Sequence, residues 1–544
     1  MLTALILFIL TYIFIGLRQI PRLHIDRTAG ALVGAVLMIV FGVLTLEEAF
    51  HAIDMHTLLL LLGMMIITVY LRTAGFFELM AGRILTFART PLQLLVFVSV
   101  SSGLLSALFV NDTICLLYTP IILEVALQLG VNPMPYLLAL ATSSNVGSVM
   151  TVTGNPQNML IGIASKIGYL EFLAALFPVT FIGLVVCIAV IRFVYRDEIH
   201  ATAFSVRPRL AEIPVRRTLL VKSLVVSAGV LGGFSAGYPY SLAAITGAVI
   251  LLLTGGVRTE KILEGVDWTL LLFFAGLFVV MHGVEASGLA RVVIARIGSI
   301  GAFSPAGKIA GLSAVSAILS NAVSNVPAVM LLRPLMNTLG NDKIMWLALA
   351  MSSTLAGNMT LIGSVANLIV AQQARRRLEI GFMEYFRVGA LITVITLAIG
   401  AAVLILEVKL AHGGEQTKAP GSAVRSVVVH SSRGAAHTRR FNVVLLCDTD
   451  ETRTRGLQGF RQLQIDEAAL FVFQRPEQTT FWMGSVKFPI DIIFVDPKKH
   501  VSRVYAGCAP GSRAYYPSPP ETAWVIETAA GSGVQTGDRI ELNR

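Results

Sequence analysis

Charge is what this chain has least of. Only 14% of its 544 residues are Asp, Glu, Lys or Arg, where a soluble domain carries about 25%, and 55% are hydrophobic. So apolar a chain cannot solvate its own surface, and most of it belongs in a lipid bilayer. Cysteine is scarce too: Cys115, Cys187, Cys447 and Cys508 stand in no metal-ligand spacing, which excludes a zinc framework. A nucleotide motif is also missing. Gly301–Lys308 has the outline of a phosphate loop, but its spacing is one residue too long and no Ser or Thr follows Lys308. No nucleotide is therefore expected to power the chain, and no cofactor is implied. Gly233-Phe-Ser-Ala-Gly237 matches a hydrolase elbow, yet it ends an apolar span beside Pro239. The elbow needs a strand–turn–helix, so small residues at a close helix contact explain it better. The apolar N-terminus lacks a basic leader region and a clear cleavage site, and reads as a retained span. The net charge of +10 fits cytoplasmic loops, not a nucleic-acid partner.

What is present is organised around Thr142–Asn158, inside an apolar segment from about Tyr136 to Ile163. Those 28 residues would make a helix of roughly 42 Å, more than enough to cross a bilayer. Its middle holds Gly147, Thr151, Thr153, Gly154, Asn155, Pro156 and Asn158, which break a helix and offer polar atoms. In lipid such a break survives only where it lines a polar cavity. The second half answers at a constant offset of 209, with Ser143/Ser352, Met150/Met359, Thr151/Thr360, Gly154/Gly363 and Asn158/Asn367 coinciding. At 213, Gly34/Gly247, Glu47/Glu260, Asp54/Asp267, Gly63/Gly276, Gly75/Gly288 and Arg83/Arg296 coincide, and at 214, Ser106/Ser320, Asn111/Asn325 and Pro120/Pro334. The repeats run over about 25–195 and 239–408. Paired interrupted helices in two halves point to a carrier's binding site.

In chain order, spans are predicted at Leu2–Leu17, Ala29–Thr45 and His56–Leu71. Leu92–Leu129 is a re-entrant hairpin with its tip at Asn111-Asp112-Thr113, followed by the broken helix and by Phe172–Val190. The hairpin recurs as Pro305–Leu339, tipped at Ser324-Asn325, and a last span covers about Val388–Leu406. Ten spans and two hairpins place the arginine-bearing loops (Arg18, Arg22 and Arg27; 72–89; Arg192 to Arg217, with Arg207 and Arg209; 258–261; 375–377) in the cytoplasm when the N-terminus is outside. Five crossings between equivalent elements make the repeats inverted. Residues 1–410 form the transporter, 411–440 read as a linker, and 441–544 alternate short apolar runs (Val443–Leu446, Ala469–Phe473, Ile490–Val495, Ala523–Glu527) with turns. The fold expected is an all-α polytopic membrane protein with two inverted repeats, re-entrant hairpins and broken helices, plus a small β-rich soluble C-terminal domain, which emerges outside the cytoplasm. There Cys447 and Cys508 either pair in an oxidising compartment or stay free in the core.

One half-site is expected from Asn111, Asp112, Thr113, Asn145, Thr151, Thr153, Gly154, Asn155 and Asn158, the other from Ser324, Asn325, Asn358, Thr360, Gly363, Ser364 and Asn367. Half-helix N-termini favour anions, and unwound carbonyls and hydroxyls can hold Na⁺, with Asp112, Thr151 and Thr360 as its candidate ligands. The plainer reading makes these residues helix caps. Asp112 stands out as an intramembrane acid whose counterpart is Val326. Such acids are expensive and usually functional, so it reads as a proton or Na⁺ site.

The membrane part, about residues 25–410, resembles the ion-transporter superfamily of arsenite permeases, sodium/proton antiporters and citrate or dicarboxylate carriers. Phe109-Val-Asn-Asp-Thr with Thr119-Pro120 is similar to the first arsenite-permease hairpin. Thr151-Val-Thr-Gly-Asn-Pro-Gln-Asn158 is similar to the loop of citrate-type carriers, and Ser324-Asn-Val-Pro327 to the second hairpin tip, though the dicarboxylate Ser-Asn-Thr is incomplete at both tips. Ser364-Val-Ala-Asn367 lacks the prolines usual there. The C-terminal part resembles domain of unknown function 192 through Arg455-Gly-Leu457, Leu470–Phe473, Phe481-Trp-Met483, Phe488–Phe494 and Gly537-Asp538, departing from it at Gly484-Ser485-Val486. In it Trp482, Met483 and Asp491 line a ligand groove or pack in the core. The resemblance implies a multi-pass plasma-membrane secondary transporter, not an enzyme, moving a small anion or oxyanion (organic carboxylate or arsenite-like) with H⁺ or Na⁺. A homodimer is compatible with it. A sodium/proton antiporter is the alternative, and a membrane-tethered extracytoplasmic receptor an alternative of another class.

Overall fold

The computed structural model describes residues 1–16, 26–199, 203–204, 215–288, 303–339 and 343–417, then 424, 426–431, 438–448, 452–453, 456–460, 462–484, 486–512 and 514–543. Arg18, Arg22, Arg207, Arg209, Arg296, Gly301, Arg455 and Ser485 lie outside these residues. The chain divides into two compact units, Met1–Leu410 and Ala411–Arg544.

The first unit is helical. The first repeat holds α2 (Arg27–Val40), α3 (Leu46–Ala52), α4 (Met55–Thr73), α5 (Phe76–Phe87), α6 (Pro91–Leu108), α7 (Asn111–Gln128), α8 (Met134–Ser148), α9 (Pro156–Ser165) and α10 (Tyr169–Val194), after α1 (Leu2–Gly16). Following α11 (Arg217–Ser235), the second holds α12 (Tyr240–Thr254), α13 (Thr259–Leu263), α14 (Trp268–Ala286), α15 (Pro305–Val323), α16 (Asn325–Thr338), α17 (Lys343–Ala356), α18 (Val365–Ala374) and α19 (Phe382–Thr417). Among the described residues seven helices are long and apolar enough to cross a membrane, α6 and α15 of the hairpins included.

The duplication is physical as well as textual. Asp54 caps α4 by accepting from Thr57 N, and its counterpart Asp267 caps α14 through Leu270 N. Thr90 caps α6 and Ser304, 214 positions on, caps α15. The repeats interlock reciprocally, α4 packing on α12 and α14 on α2. A Cβ on Gly63 would lie 2.6 Å from the Ala244 carbonyl carbon, and one on Gly276 would lie 2.9 Å from that of Ala31. Gly63/Gly276 and Ala31/Ala244 share the offset of 213, so one close contact is built twice. Without a hydrophobic drive between helices in lipid, such backbone approach is what holds them together. Gly147 on α8 meets the backbone of Gly103 on α6 still more closely.

The breaks lie close to where they were expected. Phe109 and Val110 separate α6 from α7, so Asn111, Asp112 and Thr113 form the first turn of α7 instead of a free tip. Ser324 alone separates α15 from α16, at φ 76°, a conformation costing a non-glycine residue about 1–3 kcal/mol. The span read as Ala29–Thr45 ends at Val40, because Gly42 turns the chain at φ 67° and Thr45 starts α3 with a capping box to Glu48. Gly233–Gly237 closes α11, where the Ser235 hydroxyl donates to Leu231 O and is no nucleophile.

The second unit carries β1 (Ser426–His430), β2 (Arg439–Cys447), β3 (Glu467–Glu477), β4 (Thr480–Trp482), β5 (Ile490–Val495), β6 (Val501–Cys508), β7 (Tyr515–Pro517), β8 (Thr522–Ala529) and β9 (Arg539–Asn543). Seven of them form one sheet, ordered β6-β5-β8-β3-β2-β1-β9. Strand β1 falls inside the stretch read as linker, and α19 runs into it as far as Thr417. The short β-branched run Val427-Val-Val429 was hidden by Gly/Ser/Ala-rich surroundings, yet it pairs with both β2 and β9. Cys447 and Cys508 are free and buried. They sit on β2 and β6, four strand spacings apart and so roughly 19 Å across the sheet, well beyond disulfide reach. Met483 is in the core, and Asp491 is a tie: its carboxylate accepts from Gly507 N (2.7 Å), Gly531 N (3.1 Å) and Ser532 N (2.8 Å). Trp482 is half exposed.

Glu527 is the misfit of this sheet. It lies on β8 between Ala469 of β3 and Ile492 of β5, 5% exposed. Burial pushes its carboxyl from 4.5 up to about 8. The folded domain therefore keeps a proton that the unfolded chain gives up, and stability falls as pH rises from about 4.5 to about 8.

Two measurements check these points. Labelling of Cys447 and Cys508 by a thiol reagent, read by peptide mass in the full chain, should be equal in the native protein and Glu527→Gln near pH 4. By pH 8 it should be roughly tenfold or more slower in Glu527→Gln; an unchanging ratio refutes the titration. Gly147→Ala should destabilise the membrane unit by about 1–3 kcal/mol in thermal melts in detergent, whereas Gly229→Ala, with nothing within 4 Å, should leave the melt unchanged.

Candidate functional site

Four half-helices, α7, α9, α16 and α18, begin at the four interruptions of the repeats. Only α9 has a side-chain cap, Asn155 accepting from Asn158 N at 2.8 Å. The residues preceding α7, α16 and α18 (Val110, Ser324 and Ser364) cap nothing with their side chains, so the capping reading fails for Asn111, Asp112 and Asn325. Uncapped N-termini leave N–H groups and positive dipole ends at the interruptions.

The breaks Val149–Asn155 and Gly357–Ser364 are stitched by asparagine. Asn158 Nδ2 donates to the carbonyls of Ser148 (3.0 Å), Val149 (3.3 Å) and Thr151 (3.0 Å). Asn367 Nδ2 donates to Gly357 O (2.8 Å) and Thr360 O (3.1 Å). Ser148/Gly357 and Thr151/Thr360 are repeat equivalents, so both breaks are held in one way. A Cβ on Gly154 would run into Ser148 O, and one on Gly363 would meet Gly357 O at 2.9 Å, which explains both glycines. Thr151 Oγ1 donates to Ala107 O and lies 3.4 Å from Thr153 Oγ1. Thr360 Oγ1 donates to Asn321 Oδ1 at 3.3 Å, and Ala107 and Asn321 are themselves 214 apart. Each break threonine thus anchors its own hairpin.

Asn145 joins the halves. Its Nδ2 donates to Asn358 Oδ1 (2.8 Å) and Asn367 Oδ1 (2.9 Å), and its Oδ1 accepts from Asn111 Nδ2 (2.9 Å) and Ser364 Oγ (3.0 Å). An amide side chain can make four hydrogen bonds, and Asn145 makes all four. It orients its neighbours and has nothing left for a solute. Asn358 Nδ2 donates to Thr142 O, and Asn155 Nδ2 to Ser148 Oγ (2.9 Å) and Thr354 Oγ1 (3.2 Å). Asn111 N donates to Gly154 O, seating the first hairpin on the first break.

Two amide oxygens are left over. Asn111 Oδ1 and Asn325 Oδ1 are buried and have no hydrogen-bond partner, and the two residues are equivalents at the hairpin turns. Asp112 is 8% exposed, with no hydrogen bond or ion pair among the described residues. Thr113 is only partly buried and takes no part in the network. Ser324 is the turning residue of the second hairpin. Sequence reasoning missed Ser106, Ser144, Gln157, Asn321 and Thr354, which complete the network; their signal was only a polar side chain on an apolar helix facing a break. The network contains no Arg or Lys. Among the described residues no group of three or more His, Cys, Asp or Glu could hold a metal ion. The site is one of amides, hydroxyls and helix ends, able to receive a cation or hydroxyl at its free oxygens and an anion at its free N–H groups.

Comparison with known proteins agrees with this architecture. The citrate transporter family model matches residues 5–356, and that of the uncharacterized DUF192 family residues 429–542. The silicon efflux transporter LSI3 of Oryza sativa subsp. japonica is 33% identical over 451 residues, spanning 70% of this chain and 93% of that protein. The putative transporter arsB of Dictyostelium discoideum is 25% identical over 516 residues, spanning 74% and 92%. The crystal structure of the Alcanivorax borkumensis YdaH transporter covers 76% of this chain and 97% of its own, at 16% identity and a TM-score of 0.46. A family match over more than half the chain, on two repeats with hairpins and broken helices, means that the protein belongs to the citrate transporter family and is a membrane transporter, not an enzyme.

Proposed function

We propose that the chain is a secondary active carrier of a small oxyacid or oxyanion, coupled to a proton or sodium gradient through Asp112. The observation that carries this reading is the repeat-related pair of unpartnered oxygens, Asn111 Oδ1 and Asn325 Oδ1, the two buried amide oxygens among the described residues that have no hydrogen-bond partner. Buried polar atoms without partners are rare, and two at equivalent turns mark a place that a solute or ion completes. The uncapped ends of α7, α16 and α18 supply positive potential without Arg or Lys. The silicon efflux named for one relative, with the resemblance of Phe109–Thr113 to the arsenite permeases, agrees with a hydroxylated oxyacid such as silicic or arsenous acid. Asp112, buried and unpaired, is where the coupling ion binds; Thr151 and Thr360 contribute by fixing the hairpins. A sodium/proton antiporter is the second reading, favoured by Asp112 and by the absence of a cationic side chain from the network. A receptor would not need two interrupted repeats.

The arginine distribution supports a plasma-membrane topology with the N-terminus and residues 411–544 outside the cytoplasm. Ten crossings return the C-terminus to the side where the chain began. A homodimer is compatible with this reading.

Two experiments test it. Proteoliposome uptake of silicic acid and arsenite, with proton and Na⁺ gradients imposed separately, should be gradient-driven in the native chain. It should fall at least a hundredfold in Asp112→Asn with the protein still folded; undiminished coupled uptake by that variant removes Asp112 from the mechanism. A C-terminal alkaline phosphatase fusion should be active, and a silent fusion at normal expression overturns the topology.

A further inference from the structure

A cavity of about 220 Å³ lies between α9, α14, α16 and the α3–α4 corner. Its apolar walls include Leu160 and Ile161 of α9, Phe278 of α14, Val329 of α16 and Trp346 of α17. Leu160 follows Asn158 by two residues and Val329 follows Asn325 by four, about 6 Å along a helix. The cavity therefore begins one turn from the unpartnered Asn325 oxygen and leads away from it.

Its charged lining is unusual for a membrane helix bundle. Arg333 comes from α16, His282 and Glu285 from α14, and His51 and Asp54 from the α3–α4 corner; α9 contributes no charge. Asp54 is partly engaged as the cap of α4. No hydrogen bond or ion pair among the described residues ties Arg333, Glu285, His51 or His282, although Glu48 faces His282 from α3. Arg333, Glu285 and His51 are exposed, so their charged ends are open to a solute that enters the cavity.

The repeat supplies the control. The counterparts of Arg333, His282, Glu285 and Trp346 are Thr119, Val69, Arg72 and Leu137. Near them α7 lies along α18, whereas α16 and α9, the equivalent pair, meet less extensively and share the cavity wall. Residues that the fold requires recur in both halves, as Asp54/Asp267 and Gly63/Gly276 do. Arg333 and His282 do not recur, so they serve this mouth alone.

We propose that this cavity is a second solute site, which binds a small hydroxylated oxyacid before it reaches the Asn111–Asn325 centre. The guanidinium of Arg333 donates to one oxygen of the acid, and the carboxylates of Glu285 and Asp54 accept from its hydroxyls. A fully ionised polycarboxylate without a hydroxyl group, such as succinate, has no proton for those carboxylates and is repelled by them. The inference deepens the reading of the chain as an oxyacid carrier and rests on it.

The test uses the full chain in liposomes with Trp268, Trp482 and Trp524 replaced by Phe, leaving Trp346, 5% exposed, as the reporter in the cavity wall. Silicic acid should change Trp346 emission saturably. Arg333→Gln should raise the half-saturating concentration at least tenfold, Arg333→Lys should restore part of the affinity, and succinate at equal concentration should give no response. An Arg333→Gln titration that matches its parent, or a succinate response equal to that of silicic acid, overturns the second site. Silicic acid uptake by the same vesicles separates the two readings. Uptake without an Arg333-dependent Trp346 response defeats the second site and leaves the carrier reading standing. An Arg333-dependent response without uptake of silicic acid or arsenite upholds the site and defeats the carrier reading.

Discussion

A helix interrupted inside a membrane must find partners for the backbone groups it frees, because no water is there to take them. Here the amides of Asn158 and Asn367 do it. Each stands just inside the half-helix that follows its break and turns its Nδ2 back onto carbonyls of the loop. A buried carbonyl stripped of its donor costs about 1–3 kcal/mol, and Asn158 serves three. The glycines at 154 and 363 let the loop close tightly enough for one side chain to reach them. Everything else in the centre depends on this: the breaks hold their shape, so the hairpin turns have something to sit against.

Upon that frame the two halves do the same thing with unequal parts. Asn145 and Thr354 occupy equivalent positions on α8 and α17, and each reaches into the other half. Asn145 binds Asn358 and Asn367, while Thr354 donates to Asn158. An amide with four bonds and a hydroxyl with fewer cannot give identical sites. The first hairpin carries Asp112 where the second carries Val326. On the reading proposed here, a carrier that moves a solute with an ion needs two different places, and a duplicated fold with diverged side chains can provide them.

Much of this was legible in the sequence, and for identifiable reasons. Gly, Pro and Asn inside a long apolar run break a helix wherever they occur, so the interruptions near 154 and 363 could be read directly, and the offsets 209, 213 and 214 tied the halves together. Roles within the site were harder to read. Asn145 looked like one polar residue among several, and its position as the hub follows only from the crossing of α8 with α18. Asn158 and Asn367 looked like solute ligands but are occupied by backbone. Thr113 lay next to Asp112 in the chain and yet is only partly buried and outside the network, since neighbours on a helix are about 100° apart. Strand β1 escaped because five residues carry little periodicity and it is held by β2 and β9, both distant in sequence. The charges of the cavity, spread from His51 to Arg333, share no motif at all.

The character of the free atoms limits what the centre can accept. Asn111 Oδ1 and Asn325 Oδ1 are acceptors only. A fully ionised carboxylate brought against them sets oxygen against oxygen, and no Arg or Lys in the network could offset that. A solute with hydroxyl hydrogens fits these oxygens directly, and a carboxylate fits only when a cation stands between. The uncapped starts of α7, α16 and α18 add donors, but donors that are dipole ends, suited to partial charge more than to two or three full ones. Membership of a family whose name is citrate transporter therefore leaves open what this chain moves. On the reading proposed here, its neutral, amide-lined centre favours an oxyacid that still carries its protons, with the coupling ion as the one full charge that crosses with it.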